Sequence, residues 1–207
     1  MARTSGSVGA ETADRIREAA LRLFAAKGYA AVSMREIAGA VSLQAAALYN
    51  HFPNKQALLT DLMLSHMDRL ISAWDAQAAP DEAPSQALER LCRFHIHYHA
   101  GRSDAVFISY MELRNLESDN FSQVERLRQT YEGIVRSILD KGTASGDFQI
   151  TDTRITAMAI IAMLTGVNTW YRQQGRLNLR EIEDIYTDMV LRVAGVGLKE
   201  DLCSAAQ

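Results

Sequence analysis

Proline is confined to the first 84 positions of this chain, and this placement is the strongest constraint on its fold. The three prolines are Pro53, Pro80 and Pro84, so no proline interrupts a helix in the remaining sequence. Apolar and polar residues nowhere alternate over the length of a strand, and β-branched residues are scattered. Together these patterns predict an all-α protein.

The composition excludes several classes of protein. The chain has 207 residues, of which 48% are hydrophobic and 23% charged, as in a globular protein rather than a disordered or fibrous one. The longest apolar run, residues 157–164, is far too short to span a membrane, and we expect no secretory signal in the polar N-terminus. Cys92 and Cys203 fit neither a disulfide nor a metal-ligand pattern, which favours a cytoplasmic location.

The formal net charge of −3 hides an asymmetry along the chain. Residues 1–58 hold seven basic and four acidic side chains, whereas the rest of the chain holds 15 basic and 21 acidic ones. A basic N-terminal part on an acidic body suggests that this part meets a polyanion such as nucleic acid. A split of this size also arises by chance, so the interpretation depends on a supporting motif.

Helical periodicity and capping residues predict a series of helices. They lie at about residues 13–27, 34–41, 44–50, 55–75, 85–100, 103–116, 120–144, 152–174 and 179–195. Gly28 follows the first helix where a left-handed cap is expected, and Ser33 with Glu36 forms a capping-box pattern for the second. Two short helices joined by a tight turn after a longer helix are typical of a helix-turn-helix, whose second helix lies in the DNA major groove.

The second short helix carries residue types that suit contact with DNA. Three alanines at residues 45–47 leave one side nearly smooth, so the backbone can approach base edges, and Gln44 can pair bidentately with adenine. Groups that suit phosphate contacts follow: Tyr49, Asn50, His51 and Lys55. Alternatively, Gln44 is only a polar residue at a helix start, and the alanines are only good helix formers.

The run over residues 16–59 resembles the DNA-binding domain of the tetracycline-repressor (TetR) family. Three segments carry the resemblance: AALRLFAAKGY at 19–29, SMREIA at 33–38 and LYNHFPNK at 48–55. The sequence departs from the family where Ser42 in the turn and Ala46 in the recognition helix replace the usual glycines. An operator sequence therefore cannot be carried over from the family.

The resemblance implies a flexible N-terminus over 1–11, a helix-turn-helix DNA-binding domain over 12–58, and a larger helical ligand-binding and dimerisation domain over 59–207. It implies DNA-backbone contacts from Ser33, Met34 and Arg35, base-facing positions at Gln44, Ala45 and Ala47, and phosphate contacts from Tyr49, His51 and Lys55. We therefore expect a cytoplasmic, ligand-responsive transcriptional regulator, most often a repressor. It would bind a palindromic double-stranded DNA operator as a homodimer, with no enzymatic activity and no cofactor.

The last two predicted helices independently allow a homodimer. Each carries a broad apolar face with small residues, which suits a four-helix bundle between subunits. Alternatively, these faces fill the core of a monomer. A head that reads a palindrome needs two copies at a fixed spacing, which favours the dimer.

A second resemblance concerns the body of the chain. Residues 94–95, 112–116, 168–171 and 175–177 are similar to a TetR branch that controls fatty-acid, steroid and aromatic-acid catabolism in response to acyl-CoA thioesters. It implies these ligand-contacting residues: His95, His99, Phe107, Tyr110, Glu112, Arg114, Arg128, Tyr131, Asn168 and Trp170. Arginines of the body would meet the CoA phosphates. An internal Glu112–Arg114 ion pair, interface packing of Trp170, and a hydrophobic drug-like effector are the alternatives.

The histidines at 95, 97 and 99 form an unusual local cluster. On a helix, His95 and His99 share a face at the spacing of two metal ligands. No Glu or Cys at ligand spacing completes a site, so a polar pocket lining or a hydrogen-bonded core pair is favoured. We predict no metal site and no catalytic residue, and a helical metal-dependent enzyme using His95 and His99 is the less favoured alternative.

Overall fold

The computed structural model describes residues 5–77, 79 and 81–196, and every regular element within them is helical. The helices are α1 (Ser5–Lys27), α2 (Met34–Ala40), α3 (Ala45–Tyr49), α4 (Lys55–Asp75), α5 (Pro84–Ala100), α6 (Ser103–Met111), α7 (Ser118–Ser145), α8 (Thr153–Trp170) and α9 (Leu179–Val193), with a 3-10 turn at Leu113–Asn115. The predicted all-α fold is confirmed. No helix in the described ranges combines the length and apolarity that crossing a membrane requires.

The helices pack into two compact units. The first, called here the head unit, contains the described residues up to Arg69 together with Asp104–Leu127. The second, called the body unit, contains Leu70–Ser103 and the described residues from Arg128 onward. The packing therefore does not follow the predicted boundary at residue 58, because α6 and the start of α7 join the head unit.

The head unit is organised around one apolar core. Ile16 and Phe24 of α1, Ile37 of α2 and Leu48 of α3 are fully buried in it. Ile108 of α6 belongs to the same core, which explains why this segment packs with the N-terminal helices. Burial of these positions fixes α2 and α3 against α1 and leaves their opposite faces in solvent.

Local caps account for the start of α2 and the end of α1. Gly28 has a φ of +81°, the left-handed conformation expected of a helix cap. Ser33 Oγ accepts a hydrogen bond from the Glu36 N–H at 3.2 Å. The predicted capping box is half formed, because the Glu36 carboxylate accepts from Lys27 Nζ at 2.6 Å instead.

Three predicted helix bounds differ from the structure by more than two residues. The first helix, predicted from about residue 13, begins at Ser5, since extending an existing helix costs far less than nucleating one. The helix predicted over 103–116 ends at Met111 and continues as a 3-10 turn. The helix predicted to reach residue 174 ends at Trp170, because Tyr171 is extended with ψ of 136°. Residues 1–4 and 197–207, and with them Cys203, lie outside the described residues.

The body unit centres on α5, which packs against both α8 and α9. Asp152 caps α8 through hydrogen bonds from the Arg154 and Ile155 N–H groups. Asn178 and Glu181 form a complete capping box at the start of α9. These caps fix where the two helices begin.

Candidate nucleic-acid interface and ligand sites

The turn between α2 and α3 preserves a helix-turn-helix geometry without its usual glycine. Ser42 has a φ of +59°, in the left-handed region that disfavours residues with a Cβ. The Ser42 N–H donates to Gly39 O at 3.1 Å, and the Leu43 N–H donates to Ala38 O at 2.9 Å. These bonds close the turn and set α3 at its angle to α2.

The outer side of α3 is open to solvent. Gln44 is the N-cap residue in extended conformation, it is exposed, and its side chain makes no capping hydrogen bond with any described residue. The Tyr49 side chain is 49% exposed, whereas Leu48 is fully buried. Of the other predicted positions on this side, Asn50 is exposed, and Ala45, Ala47 and His51 are partly exposed. The predicted base-facing and phosphate-facing groups are therefore accessible along one short helix.

A shallow groove lies beside α3 at the start of α2. It is lined by residues 30–35, Ala45, Tyr49 and Lys55. The predicted backbone-contacting residues Ser33 and Arg35 are exposed there. Met34 departs from the prediction, because its side chain is only 7% exposed and belongs to the core; a Met34 contact with DNA would have to come from the main chain.

Lys55 also departs from the prediction. Its ammonium group donates to the carbonyl oxygens of Tyr29 at 2.9 Å, Ala30 at 3.4 Å and Val32 at 2.9 Å, and it lies 4.3 Å from the centroid of the Tyr29 ring. An ammonium has three N–H donors, and all three are used. Lys55 therefore braces the loop between α1 and α2 and does not offer a free donor to phosphate.

Several other cations of the head unit are paired internally. Arg17 donates to Asp61 at 2.7 Å and to Asp14 at 2.9 Å, and the hydrogen bond with Asp61 raises the pKa of Arg17. The hydrogen bond from Lys27 lowers the pKa of Glu36. Arg35 has no acidic partner among the residues that the structure describes, so its charge faces solvent beside α3.

Three of the predicted ligand residues in the body unit, His95, His99 and Tyr131, lie in one buried cluster. His95 Nδ1 lies 3.0 Å from the Tyr131 hydroxyl, and His95 Nε2 lies 3.0 Å from Thr165 Oγ1. The His99 ring packs edge-on to His95 at 4.2 Å between centroids. Both His95 nitrogens thus lie within hydrogen-bond distance of a hydroxyl, and these contacts join α5, α7 and α8. Within the described part of the chain, no three His, Cys, Asp or Glu side chains come together around a metal position.

Four of the predicted ligand residues lie in the head unit. Phe107 and Tyr110 are 43% and 39% exposed on α6, and Arg114 is exposed on the 3-10 turn. Glu112 is only 6% exposed, and its carboxylate accepts hydrogen bonds from the Tyr29 N–H and the Asn115 side chain. The partners of this carboxylate are therefore Tyr29 and Asn115, and the alternative Glu112–Arg114 ion pair is not formed.

The remaining predicted ligand residues are dispersed over the body unit. Arg128 is partly buried on α7, and Asn168 donates to Thr165 O at 3.4 Å. Trp170 is 48% exposed and stacks on Tyr186 at 6.2 Å between ring centroids. Trp170 thus lies on the outer surface of α8 beside α9.

A groove of about 870 Å³ lies in the body unit, lined by the end of α4, α5 and α9. Phe94 and Tyr98 supply aromatic wall, and three arginines line it. Arg90 pairs with Glu82 at 2.8 Å, and Arg93 pairs with Glu89 at 3.0 Å and with Asp184. Arg102 lies over the Tyr98 ring, 3.9 Å from its centroid, and has no carboxylate partner among the described residues.

Sequence reasoning missed three polar contacts of the head unit. Gln56 donates to Asn115 O and accepts from the Glu117 N–H at 3.3 Å, and Arg15 donates to Val41 O at 2.7 Å. Each contact joins residues at least 26 positions apart. No local pattern in the sequence signals such pairs.

Two family models match the chain. Residues 16–62 match the model described as bacterial regulatory proteins, tetR family. Residues 81–194 match the model described as tetracyclin repressor-like, C-terminal domain. The two matches cover the head helices and most of the body.

Similar proteins agree with these models. A tetR-family bacterial regulatory protein from Rhodococcus RHA1 has a TM-score of 0.85 and 30% sequence identity, covering 89% of this chain and 97% of that one. The structure of AibR in complex with isovaleryl coenzyme A and operator DNA has a TM-score of 0.77 and 26% identity, covering 86% and 96%. The HTH-type transcriptional repressor KstR2 of Mycobacterium tuberculosis is 26% identical over 92% of this chain and 96% of its own length.

Proposed function

This chain belongs to the TetR family of bacterial regulatory proteins, and from that premise we propose that it is a homodimeric repressor released from its operator by an acyl-CoA thioester. As a family member it is a ligand-responsive, DNA-binding transcriptional regulator. We place its action in the cytoplasm and assign it no enzymatic activity. The finer parts of the proposal are the groups that bind DNA, the dimer face and the class of effector.

The open side of α3 carries the DNA-binding part of the proposal. The Gln44 side chain at its start makes no capping hydrogen bond with any described residue. A carboxamide in this position can pair bidentately with adenine in the major groove. Arg35, beside the same surface, has an exposed guanidinium that suits phosphate. In this proposal Gln44 gives the protein its preference for one DNA sequence, and Arg35 contributes affinity that does not depend on the DNA sequence.

The outer faces of α8 and α9 support the homodimer. Their exposed apolar side chains are between 42% and 61% accessible: Ile155, Met158, Trp170, Ile185, Met189 and Val193. Those on α9 follow a four-residue spacing, which places them on one stripe. An exposed apolar stripe on two neighbouring helices suits burial in an intersubunit four-helix bundle.

The groove of the body unit supports a ligand with both apolar and anionic parts. Its aromatic wall suits an acyl chain or an adenine ring, and Arg102 has no carboxylate partner in the described structure that would compete for a phosphate. AibR, at 26% identity, was solved with isovaleryl coenzyme A and operator DNA. By linkage, the effector must favour a conformation that binds DNA less well.

Thermal unfolding with isovaleryl-CoA, free CoA and a lipophilic cation as separate probes tests the effector class. A ligand that binds only the native state raises the melting temperature, and we expect isovaleryl-CoA to do so and to release bound DNA. Arg102→Ala should reduce the shift, whereas Arg136→Ala, an exposed arginine of α7 outside the groove, should not. A shift from the lipophilic cation alone would favour the drug-like effector instead, and no shift from any probe would leave the acyl-CoA proposal without support.

A further inference from the structure

The Glu112 carboxylate is buried and accepts hydrogen bonds from two donors. One oxygen, Oε1, accepts from the Tyr29 main-chain N–H at 3.0 Å, across 83 positions of sequence. The other, Oε2, accepts from Asn115 Nδ2 within the same turn. A carboxylate this deeply buried is costly unless hydrogen-bonded donors replace its water, so both contacts hold Glu112 at this position.

The Tyr29 N–H is aimed at Glu112 by the cap that ends α1. Gly28 has a φ of +81°, and a Cβ at that position would lie 3.6 Å from Glu112 Oε1. The left-handed glycine turns the chain out of the helix, so the next N–H is free to donate outside α1. The Glu112 carboxylate accepts from this Tyr29 N–H, which would otherwise donate to water.

Lys55 holds the same loop through its carbonyl groups. The Lys55 ammonium group donates to the oxygens of Tyr29, Ala30 and Val32, and the Glu112 carboxylate accepts from the Tyr29 N–H. Ser33 follows directly and caps α2. The conformation of this loop therefore sets where α2 begins, and α2 carries α3 through the turn at Ser42.

Gln56, next to Lys55, fastens the α6–α7 connection to the start of α4. Its Nε2 donates to Asn115 O. Its Oε1 accepts from the Glu117 N–H and from Asn120 Nδ2, both at 3.3 Å. The connection is thus attached to the N-terminal helices at two points, and Glu112 is the point that reaches the loop before α2.

We propose that Glu112 is a positioning residue for DNA binding: its carboxylate transmits the position of the α6–α7 connection to the α1–α2 loop and so sets the placement of α2 and α3. The inference rests on the proposed function, because its output is DNA affinity. A displacement of the connection withdraws the acceptor from the Tyr29 N–H and releases one side of the loop. Each oxygen already accepts a hydrogen bond within the head unit, so the proposal gives Glu112 a positioning role in place of a ligand contact.

Glu112→Gln tests the proposal with nearly unchanged side-chain size. The new amide keeps one acceptor oxygen for the Tyr29 N–H, but this oxygen is neutral and a weaker acceptor than the carboxylate. Its Nε2 faces Asn115 Nδ2, so either two donors meet or the Asn115 amide must turn over. We expect at least tenfold faster hydrogen exchange at the Tyr29 amide and at least tenfold weaker binding to a DNA fragment that the wild-type protein recognises. Glu117→Gln, the same change at an exposed position of the same connection, should alter neither quantity.

The double variant Glu112→Gln, Asn115→Asp separates positioning from general loss of stability. A carboxylate at 115 can accept from the Nε2 of the introduced glutamine, and we expect exchange and DNA affinity to return to within about threefold of wild type. The proposal is overturned if Glu112→Gln behaves like Glu117→Gln, or if the double variant recovers neither quantity. If the wild-type protein binds no DNA, the proposed function fails, and unchanged Tyr29 exchange in Glu112→Gln would separately refute the role in the loop.

Discussion

At the scale of single residues, Ser42 shows how the helix-turn-helix is maintained by hydrogen bonds. A φ of +59° brings the Ser42 Cβ close to the following carbonyl oxygen, which costs about 1–2 kcal/mol for an L-residue and almost nothing for glycine. The two hydrogen bonds that close the turn need this conformation. The sequence therefore keeps a strained serine where glycine would be relaxed.

Ser42→Gly should stabilise the protein by about 1 kcal/mol, because glycine removes the left-handed strain. Ser72→Gly, at an exposed position inside α4, is the matched control and should lower stability by about 0.5 kcal/mol, since glycine weakens a helix interior. Urea unfolding of both variants measures the two values. Destabilisation by Ser42→Gly would contradict the turn geometry.

Cys92 gives the body unit a pH-dependent contribution to stability. Burial raises the pKa of its thiol to about 11 from an ordinary value of 9.0. As the pH rises, the unfolded chain loses this proton first. The thiol therefore stabilises the fold below about pH 9, and that contribution disappears between about pH 9 and 11.

The comparison of wild type with Cys92→Ala isolates this thiol from the tyrosines and lysines that titrate in the same range. We expect the difference in unfolding free energy between the two proteins to fall by about 2 kcal/mol as the pH rises from 9 to 11. Chemical unfolding at several pH values in that range provides the measurement. A difference that stays constant with pH would mean that the thiol is not buried as described.

At the scale of elements, helix starts are predictable where their cause is local. Asn54 accepts a hydrogen bond from the Ala57 N–H at 2.7 Å and fixes the start of α4. Ser33 does the same for α2. Such signals lie within three or four residues, so the predicted bounds of α2 and α4 agree with the structure to within a residue.

The candidate site is predictable only in part, for the same physical reason. The exposure of Arg35 follows from helical periodicity, because Ile37, two positions further on, faces the core. Gln44 is exposed because it precedes α3 in extended conformation, although it lies four positions before the buried Leu48. The roles of Lys55 and Glu112 depend on partners 26 and 83 positions away. Nothing adjacent to either residue encodes such a contact, so the sequence alone does not reveal that Lys55 and Glu112 both hydrogen-bond the α1–α2 loop.

The α8 and α9 faces can be tested as a dimer interface by placing a charge in the apolar stripe. Ile185→Asp should convert the homodimer into a monomer, because the buried carboxylate would lack a partner. Arg180→Asp adds a carboxylate to another face of α9, in its exposed first turn, and should leave the dimer intact. Light scattering after size-exclusion chromatography distinguishes the two masses. An unchanged mass for Ile185→Asp would place the interface elsewhere.

At the scale of the whole chain, DNA binding depends more on where the charges lie than on the net charge. The formal net charge is −3, yet residues 1–58 carry an excess of three basic groups. Of the basic groups in this range, Arg17 and Lys27 form ion pairs within the head unit, and Lys55 donates hydrogen bonds to the α1–α2 loop. A homodimer presents two copies of the remaining exposed charge near α3, and Arg35 is part of it in each copy. Phosphate binding by such a surface releases counterions, so affinity should fall steeply with salt.

We expect the head unit to bind DNA through the surface of α2 and α3. Fluorescence anisotropy over a series of salt concentrations can compare DNA from upstream of the protein's own gene with a scrambled fragment. Binding to the upstream DNA should be tighter, and Arg35→Ala should make the salt slope shallower by about one for each phosphate contact removed. Arg22→Ala, at an exposed arginine of α1 paired with Glu18, should change neither value. Equal binding to both fragments, or equal behaviour of the two variants, would show that this surface is not the DNA-binding site.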